Sequence, residues 1–176
     1  MNVTKVKFPY RKINIFNKIS FIHFKIEVLN LFCNNKKINF ILMLYITRKE
    51  HFSSSHKLEN PDLSKEKNEE VFGKCSNFHG HNYYIEVTLA GTPDPESNYV
   101  MDLKLLKKII HEEILDKVDH KYLNDVEMFN GIIPTTENMT VKFWEILKDK
   151  VKRNNVSLYS VKLYETEKNY VEYRGE

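Results

Sequence analysis

The sequence predicts an α+β fold, an antiparallel sheet with two helices collected on one side. Two observations carry this. Stretches that alternate apolar and polar residues open and close the segment from about Met43 to Glu176, and two stretches with apolar residues at helical spacing lie between them. Their order is strand, loop, strand pair, helix, helix, hairpin.

The first strand is LYITRKEHFSSSH, with Tyr45, Thr47, Lys49 and His51 on one face and Ile46 and Phe52 on the other. The polar stretch LENPDLSKEKNEEVFGKC, containing Pro61 and Gly73, is a loop or a short irregular helix. In HGHNYYIEVTLAG, the clearest strand, His79, His81, Tyr83, Ile85, Val87 and Leu89 share one face. A turn from Gly91 to Pro95 leads to a return strand, NYVMD. Asp102 then caps a helix in which Leu103, Leu106, Ile109, Ile110, Ile114 and Leu115 recur at helical spacing. VDHKYLND and FNGIIPTTEN read as irregular chain, and Thr136 as the cap of a second helix bearing Met139, Phe143, Ile146, Leu147 and Val151. SLYSVKLYETEKNYVEYRGE closes the chain as a hairpin turning near Lys168-Asn169.

A chain of 176 residues fits one domain plus some excess. The excess is at the start. Residues 1–42 are dominated by Asn, Lys, Ile and Phe and lack Gly and Asp, so a biased basic leader outside the fold is expected there, with the domain over 43–176. A translation start at Met43 would also account for it. Residues 1–50 hold ten Lys/Arg against two Asp/Glu, leaving 17 basic and 22 acidic residues for the rest. The basic residues form no clustered stripe, so no nucleic-acid partner is expected. Two cysteines make no disulfide framework and no secretory pattern opens the chain, which points to the cytoplasm. The run Ile38 to Ile46 is too short for a membrane span, which takes roughly 20 residues.

The chemistry concentrates in CSNFHGH. His79 and His81, two apart in a strand, project on one face and could share a metal ion, although two surface histidines opening a strand look the same. Gly80 between them would let another group approach the metal. His56, at the end of the preceding strand, offers a third imidazole, and three with an open fourth position form the catalytic type of zinc site. Cys75 lies in a polar segment, where it could be an activated thiolate or a fourth zinc ligand. Asp119-His120 could be a carboxylate orienting a proton carrier or a solvated loop pair. Glu165 could grip a ligand bearing adjacent N–H donors or simply face solvent.

Taken together, HFSSSHKL, FGKCSNFHGHNY, YVMDLKLLKKII, VDHKYLN, PTTEN and KLYETEKNYVEYRGE resemble, in this order, the 6-pyruvoyltetrahydropterin synthase / 6-carboxytetrahydropterin synthase family, from about Leu44 to Glu176. The resemblance implies a T-fold subunit, a four-stranded antiparallel sheet backed by two helices, assembling into a barrel-forming homo-oligomer (trimer or hexamer) with active sites between subunits. It implies 7,8-dihydroneopterin triphosphate as substrate and Zn2+ as cofactor. By motif match, His56, His79 and His81 would be the zinc ligands, and Cys75, Asp119 and His120 the catalytic residues. Thr135, Thr136, Glu137 and Glu165 would bind the pterin.

The segments FGKC, PTTEN and YETEKN resemble the pyruvoyl-forming branch. That branch usually has five residues between Cys and His-Gly-His, whereas this chain has three, Ser76, Asn77 and Phe78, as in the carboxy-forming queuosine branch. Because the spacer acts directly on the reacting groups, the expected product is 6-carboxy-5,6,7,8-tetrahydropterin, with loss of triphosphate and acetaldehyde. The pyruvoyl product is the alternative on the same substrate, and a non-catalytic zinc- or pterin-binding module is the alternative of another class.

Overall fold

The computed structural model describes residues 42–176; the leader expected over residues 1–42 lies, apart from Leu42, outside them. Four strands form one antiparallel sheet in the order β1 (Leu44–His56), β2 (His79–Gly91), β3 (Val156–Tyr164) and β4 (Tyr170–Tyr173). The first two pair over their whole length without a bulge, from Leu44 opposite Gly91 to His56 opposite His79. A register shift at Thr88/Leu89 bends the β2–β3 pairing. The helices are α1 (Lys65–Phe72), α2 (Leu103–Ile110), α3 (Asp116–Val118) and α4 (Thr136–Lys150), and a π-helical turn, His111–Leu115, joins α2 to α3.

The two-residue period of the strands decides which face is covered. On β2 the odd-numbered residues from Tyr83 to Leu89 are fully buried, while on β1 the even-numbered Phe52, Ser54 and His56 are buried. Against this face pack Leu106, Ile110, Ile114 and Leu115 from the first helical segment, and Met139, Phe143, Leu147 and Val151 from α4 with its flank. Phe52 stacks on Tyr83 at 4.9 Å and meets the edge of Phe143 at 6.3 Å. Each such fully buried side chain contributes roughly 1.5–3 kcal/mol, so the end of the sheet carrying the histidines rests on a rigid aromatic floor.

Two local expectations change. NYVMD is not a strand. Asp94 Oδ1 accepts hydrogen bonds from the backbone of Glu96 and Ser97, its own N–H donates to Tyr99 O, and Asn98 takes φ 61°, so the segment folds on itself as a loop. Val100 and Met101 are buried from that loop. The cap of α4 is Thr135 rather than Thr136: Thr135 Oγ1 accepts from Asn138 N, while Thr136 is inside the helix. Asp102 caps α2 as expected, accepting from Lys104 N. Among the described residues, no helix is long and apolar enough to cross a membrane.

Candidate active site

The bulge-free pairing of β1 with β2 puts His56 directly opposite His79, and the strand period brings His81 onto the same face. One ligand atom from each of these three imidazoles lies within 4.8 Å of the others, the one such convergence of His, Cys, Asp or Glu among the described residues. Gly80, on the opposite face, serves the pairing and not the metal. A Cβ there would stand 2.9 Å from the backbone oxygen of Ser54, so glycine lets β1 come close.

Backbone carbonyls orient two of the rings. His56 Nδ1 donates to Pro134 O at 2.9 Å and His79 Nδ1 to Asn77 O at 2.7 Å. A carbonyl can only accept, so both rings carry their proton on Nδ1 and leave the Nε2 lone pair free. His81 Nε2 is buried with no hydrogen-bond partner among the described residues. Burial is the first cause that holds the His56 and His81 rings below the ordinary imidazole range, favouring the neutral, ligating form. Glu165 Oε1 approaches His81 Nε2 at 3.6 Å and His56 Nε2 at 3.8 Å, too far for hydrogen bonds. Three converging imidazole nitrogens, that of His81 without a partner, facing a carboxylate fit a divalent cation of the zinc type. Tyr83 OH lies 3.4 Å from His56 Nε2 beneath the triad, and burial pushes its phenol far above the ordinary range, so it stays neutral.

Cys75 sits exposed in the 3₁₀ turn Gly73–Ser76 that ends α1, outside the triad, so the arrangement does not make it a fourth ligand. Its carbonyl accepts from Leu58 N at 2.9 Å, which ties the turn to the chain leaving His56. Asp119 and His120 lie along the free edge of β1. Asp119 Oδ1 accepts from Ser53 N at 2.9 Å and faces His120 Nδ1 at 3.0 Å, and His120 N donates to Ser53 O at 2.7 Å. Adjacent side chains usually diverge; here φ 57° at His120 turns its ring back onto the carboxylate. The Ser53 N–H, then His120, hold the Asp119 carboxyl below its usual range. The His120 side chain is 82% exposed.

Of the four residues expected to bind pterin, Thr136, Glu137 and Glu165 line one cleft of about 140 Å³ together with Asn169, Tyr170 and Val171. Thr135 does not join them, being committed to the cap. A cleft of this size takes the edge of a bicyclic ring, since sites for whole ligands occupy roughly 300–1,000 Å³. Size alone does not mark the site: a cleft of about 640 Å³ between Glu113, Lys117, Lys142 and Ile146 contains no converging ligand set. Sequence reasoning missed the two orienting carbonyls, Pro134 and Asn77, because backbone atoms leave no residue-type signal. It also missed Tyr83, which the strand period had already placed on the histidine face.

Comparisons with known proteins place the chain in a family. Residues 45–176 match the family model described as 6-pyruvoyl tetrahydropterin synthase. The chain is 46% identical over 132 residues to the 6-pyruvoyl tetrahydrobiopterin synthase of Dictyostelium discoideum, covering 74% of this chain and 96% of that protein. It is 31% identical over 111 residues to the 6-carboxy-5,6,7,8-tetrahydropterin synthase of Bacillus subtilis, covering 60% and 73%. The solved Caenorhabditis elegans 6-pyruvoyl tetrahydropterin synthase superposes with a TM-score of 0.71 at 40% identity, covering 77% of this chain and 98% of that one. The four-stranded sheet with its helices is thus the T-fold of these enzymes, and the chain belongs to the 6-pyruvoyl tetrahydropterin synthase family.

Proposed function

We propose that this chain is a zinc-dependent 6-pyruvoyltetrahydropterin synthase acting on 7,8-dihydroneopterin triphosphate. The observation that carries the reading over the carboxy product is near full-length similarity to proteins named as biopterin synthases, 46% against 31% for the Bacillus carboxy-forming relative. The three-residue spacer Ser76 to Phe78 favoured the carboxy product; it is one local feature against similarity spread over 132 residues.

In this reading His56, His79 and His81 hold the zinc ion. Bound there, zinc supplies Lewis-acid polarisation of the substrate's side-chain hydroxyls, which makes the protons on the adjoining carbons removable near neutral pH. Glu165 accepts from adjacent N–H donors of the pterin and fixes the ring, with Thr136 and Glu137 along its edge. Cys75 and His120 move protons, and Asp119 holds the His120 ring; such help is worth about 10²- to 10⁴-fold. The cleft admits only part of the substrate, which supports an active site completed between subunits of a homo-oligomer.

The test incubates purified protein with zinc and dihydroneopterin triphosphate and follows triphosphate, pterin and acetaldehyde by mass spectrometry. Triphosphate and a pyruvoyl pterin without acetaldehyde are expected. Acetaldehyde in equal amount to a carboxypterin would restore the queuosine-type reading, and no turnover by fully metallated protein would leave a zinc- or pterin-binding module.

A further inference from the structure

The small cleft at Glu165 has walls from two different elements. Thr136 and Glu137, in the first turn of α4, form one; Glu165, Asn169, Tyr170 and Val171, in the hairpin joining β3 to β4, form the other. The hairpin turn is closed on itself, because Glu165 N donates to Asn169 O and Thr166 Oγ1 accepts from Lys168 N and Asn169 N. Its return arm has little else to hold it: β4 is four residues long, ends the sheet and pairs with β3 alone.

What ties this arm to α4 lies at and past its end. Trp144, packed against the core from the middle of α4, meets Tyr173 edge to face at 5.5 Å. Gly175 then lies against the same indole: its φ is 83°, and a Cβ there would stand 2.7 Å from Trp144 Cε2 and closer still to Cζ2. Left-handed backbone disfavours a Cβ and the ring leaves no room for one, so both facts require glycine. Arg174 lies 5.2 Å over the ring of Tyr159, on the face of the sheet that carries Tyr45, and Tyr173 OH donates to Glu176 O.

We infer that Trp144 and Gly175 are positioning residues, clipping the β3–β4 hairpin to α4 and thereby setting the width of the cleft between Glu137 and Glu165. Neither residue lines the cleft, so both act through the hairpin. Trp144 is about 10 Å from Glu137 along α4, and Tyr173 about 10 Å from Tyr170 along β4, so a swing of about 6° at the clip moves a cleft wall by about 1 Å. A shift of that size is enough to break a hydrogen bond. That the cleft takes a pterin rests on the proposed function; that the clip fixes the hairpin does not.

The test compares two clip variants with wild type: Gly175→Ala, which sets a Cβ against the indole, and deletion of residues 174–176, which removes exposed residues alone. Glu176→Ala is the control, since it keeps Gly175 on Trp144 and the backbone oxygen that Tyr173 uses. Calorimetry with 7,8-dihydroneopterin as probe should show about tenfold weaker binding in both clip variants, as the loss of one hydrogen bond to a charged group allows. KM for dihydroneopterin triphosphate should rise by the same factor with kcat unchanged. Zinc affinity, read by competition with a chelator, should stay at the wild-type value, because β1 and β2 hold the triad. Amide exchange read by mass spectrometry should quicken over residues 165–173 and stay unchanged in β1 and β2, and Glu176→Ala should match wild type throughout. Unchanged probe binding, a loss confined to kcat, zinc affinity that falls in step, or faster exchange spread over the whole sheet each overturns the inference. If wild type neither binds the probe nor turns over the substrate, the proposed function fails, and exchange over residues 165–173 decides the clip by itself: no change in the clip variants overturns it.

Discussion

Replacing His56 and His81 by alanine separates a histidine that builds the fold from one that, in the proposed function, is held for a metal. His56 is 0% exposed and its Nδ1 satisfies Pro134 O. Alanine there strands that buried carbonyl, at about 1–3 kcal/mol, and opens a cavity beside Tyr83, for a total of about 2–4 kcal/mol. His81 differs, because its Nε2 is already buried without a partner. Removing a desolvated polar atom returns about 1–3 kcal/mol and offsets the packing lost, so the metal-free change stays within about 1 kcal/mol. At roughly 4 °C per kcal/mol for a domain of this size, the metal-free His56→Ala melts about 8–16 °C below wild type and His81→Ala within about 4 °C of it. Zinc at a thousandfold excess over its Kd stabilises wild type by about 4 kcal/mol, and both variants lose most of that. Calorimetry in chelator and in zinc reads every quantity. If His81→Ala destabilises the metal-free protein as much as His56→Ala, the reasoning that His81 is held without a partner for a metal fails.

Four further outcomes follow. Cys75→Ala should keep stoichiometric zinc while losing triphosphate release, since the thiol lies outside the imidazole cluster; loss of zinc would make it a ligand. Asp119→Asn should lower kcat by about 10² and leave the melting temperature within a few degrees, because an amide oxygen can still accept from Ser53 N; wild-type kcat would remove Asp119 from the mechanism. Metal-free stability should fall between pH 7.5 and 5.5. Burial holds the folded His56 and His81 rings below the ordinary value of about 6.5, so the unfolded chain binds more protons in that window, and their contribution is full above it and lost as pH falls. Stability that is flat or rises on acidification would contradict this. Thr135→Ala should cost about 1 kcal/mol by removing the α4 cap, read as a melting shift of about 4 °C, whereas the same change at Thr136 should leave the cap intact.

What could be read from the sequence follows from what residue types encode. The faces of β1 and β2 were legible because a period of two is visible in side chains, and the α2 start because Asp102 is a local cap. NYVMD misled because its apolar residues are equally suited to a buried loop, and the side chain that decides the matter, Asp94, lies outside it. The α4 cap was misplaced by one residue because Thr135 and Thr136 are the same type and only the backbone distinguishes them. The triad depended on something subtler. Naming His79 and His81 required only the strand period, whereas adding His56 required the register of β1 against β2, which no local pattern states. A one-residue slip would turn His56 to the opposite face and leave two imidazoles where three are needed. Gly80 belongs to this alignment: a Cβ there would stand 2.9 Å from Ser54 O, so glycine eases the close strand approach next to the pair His56 and His79. The central residue of His-Gly-His, which the sequence suggested was there for access to a metal, points away from the histidine face and instead eases the strand approach at which the third imidazole joins the other two.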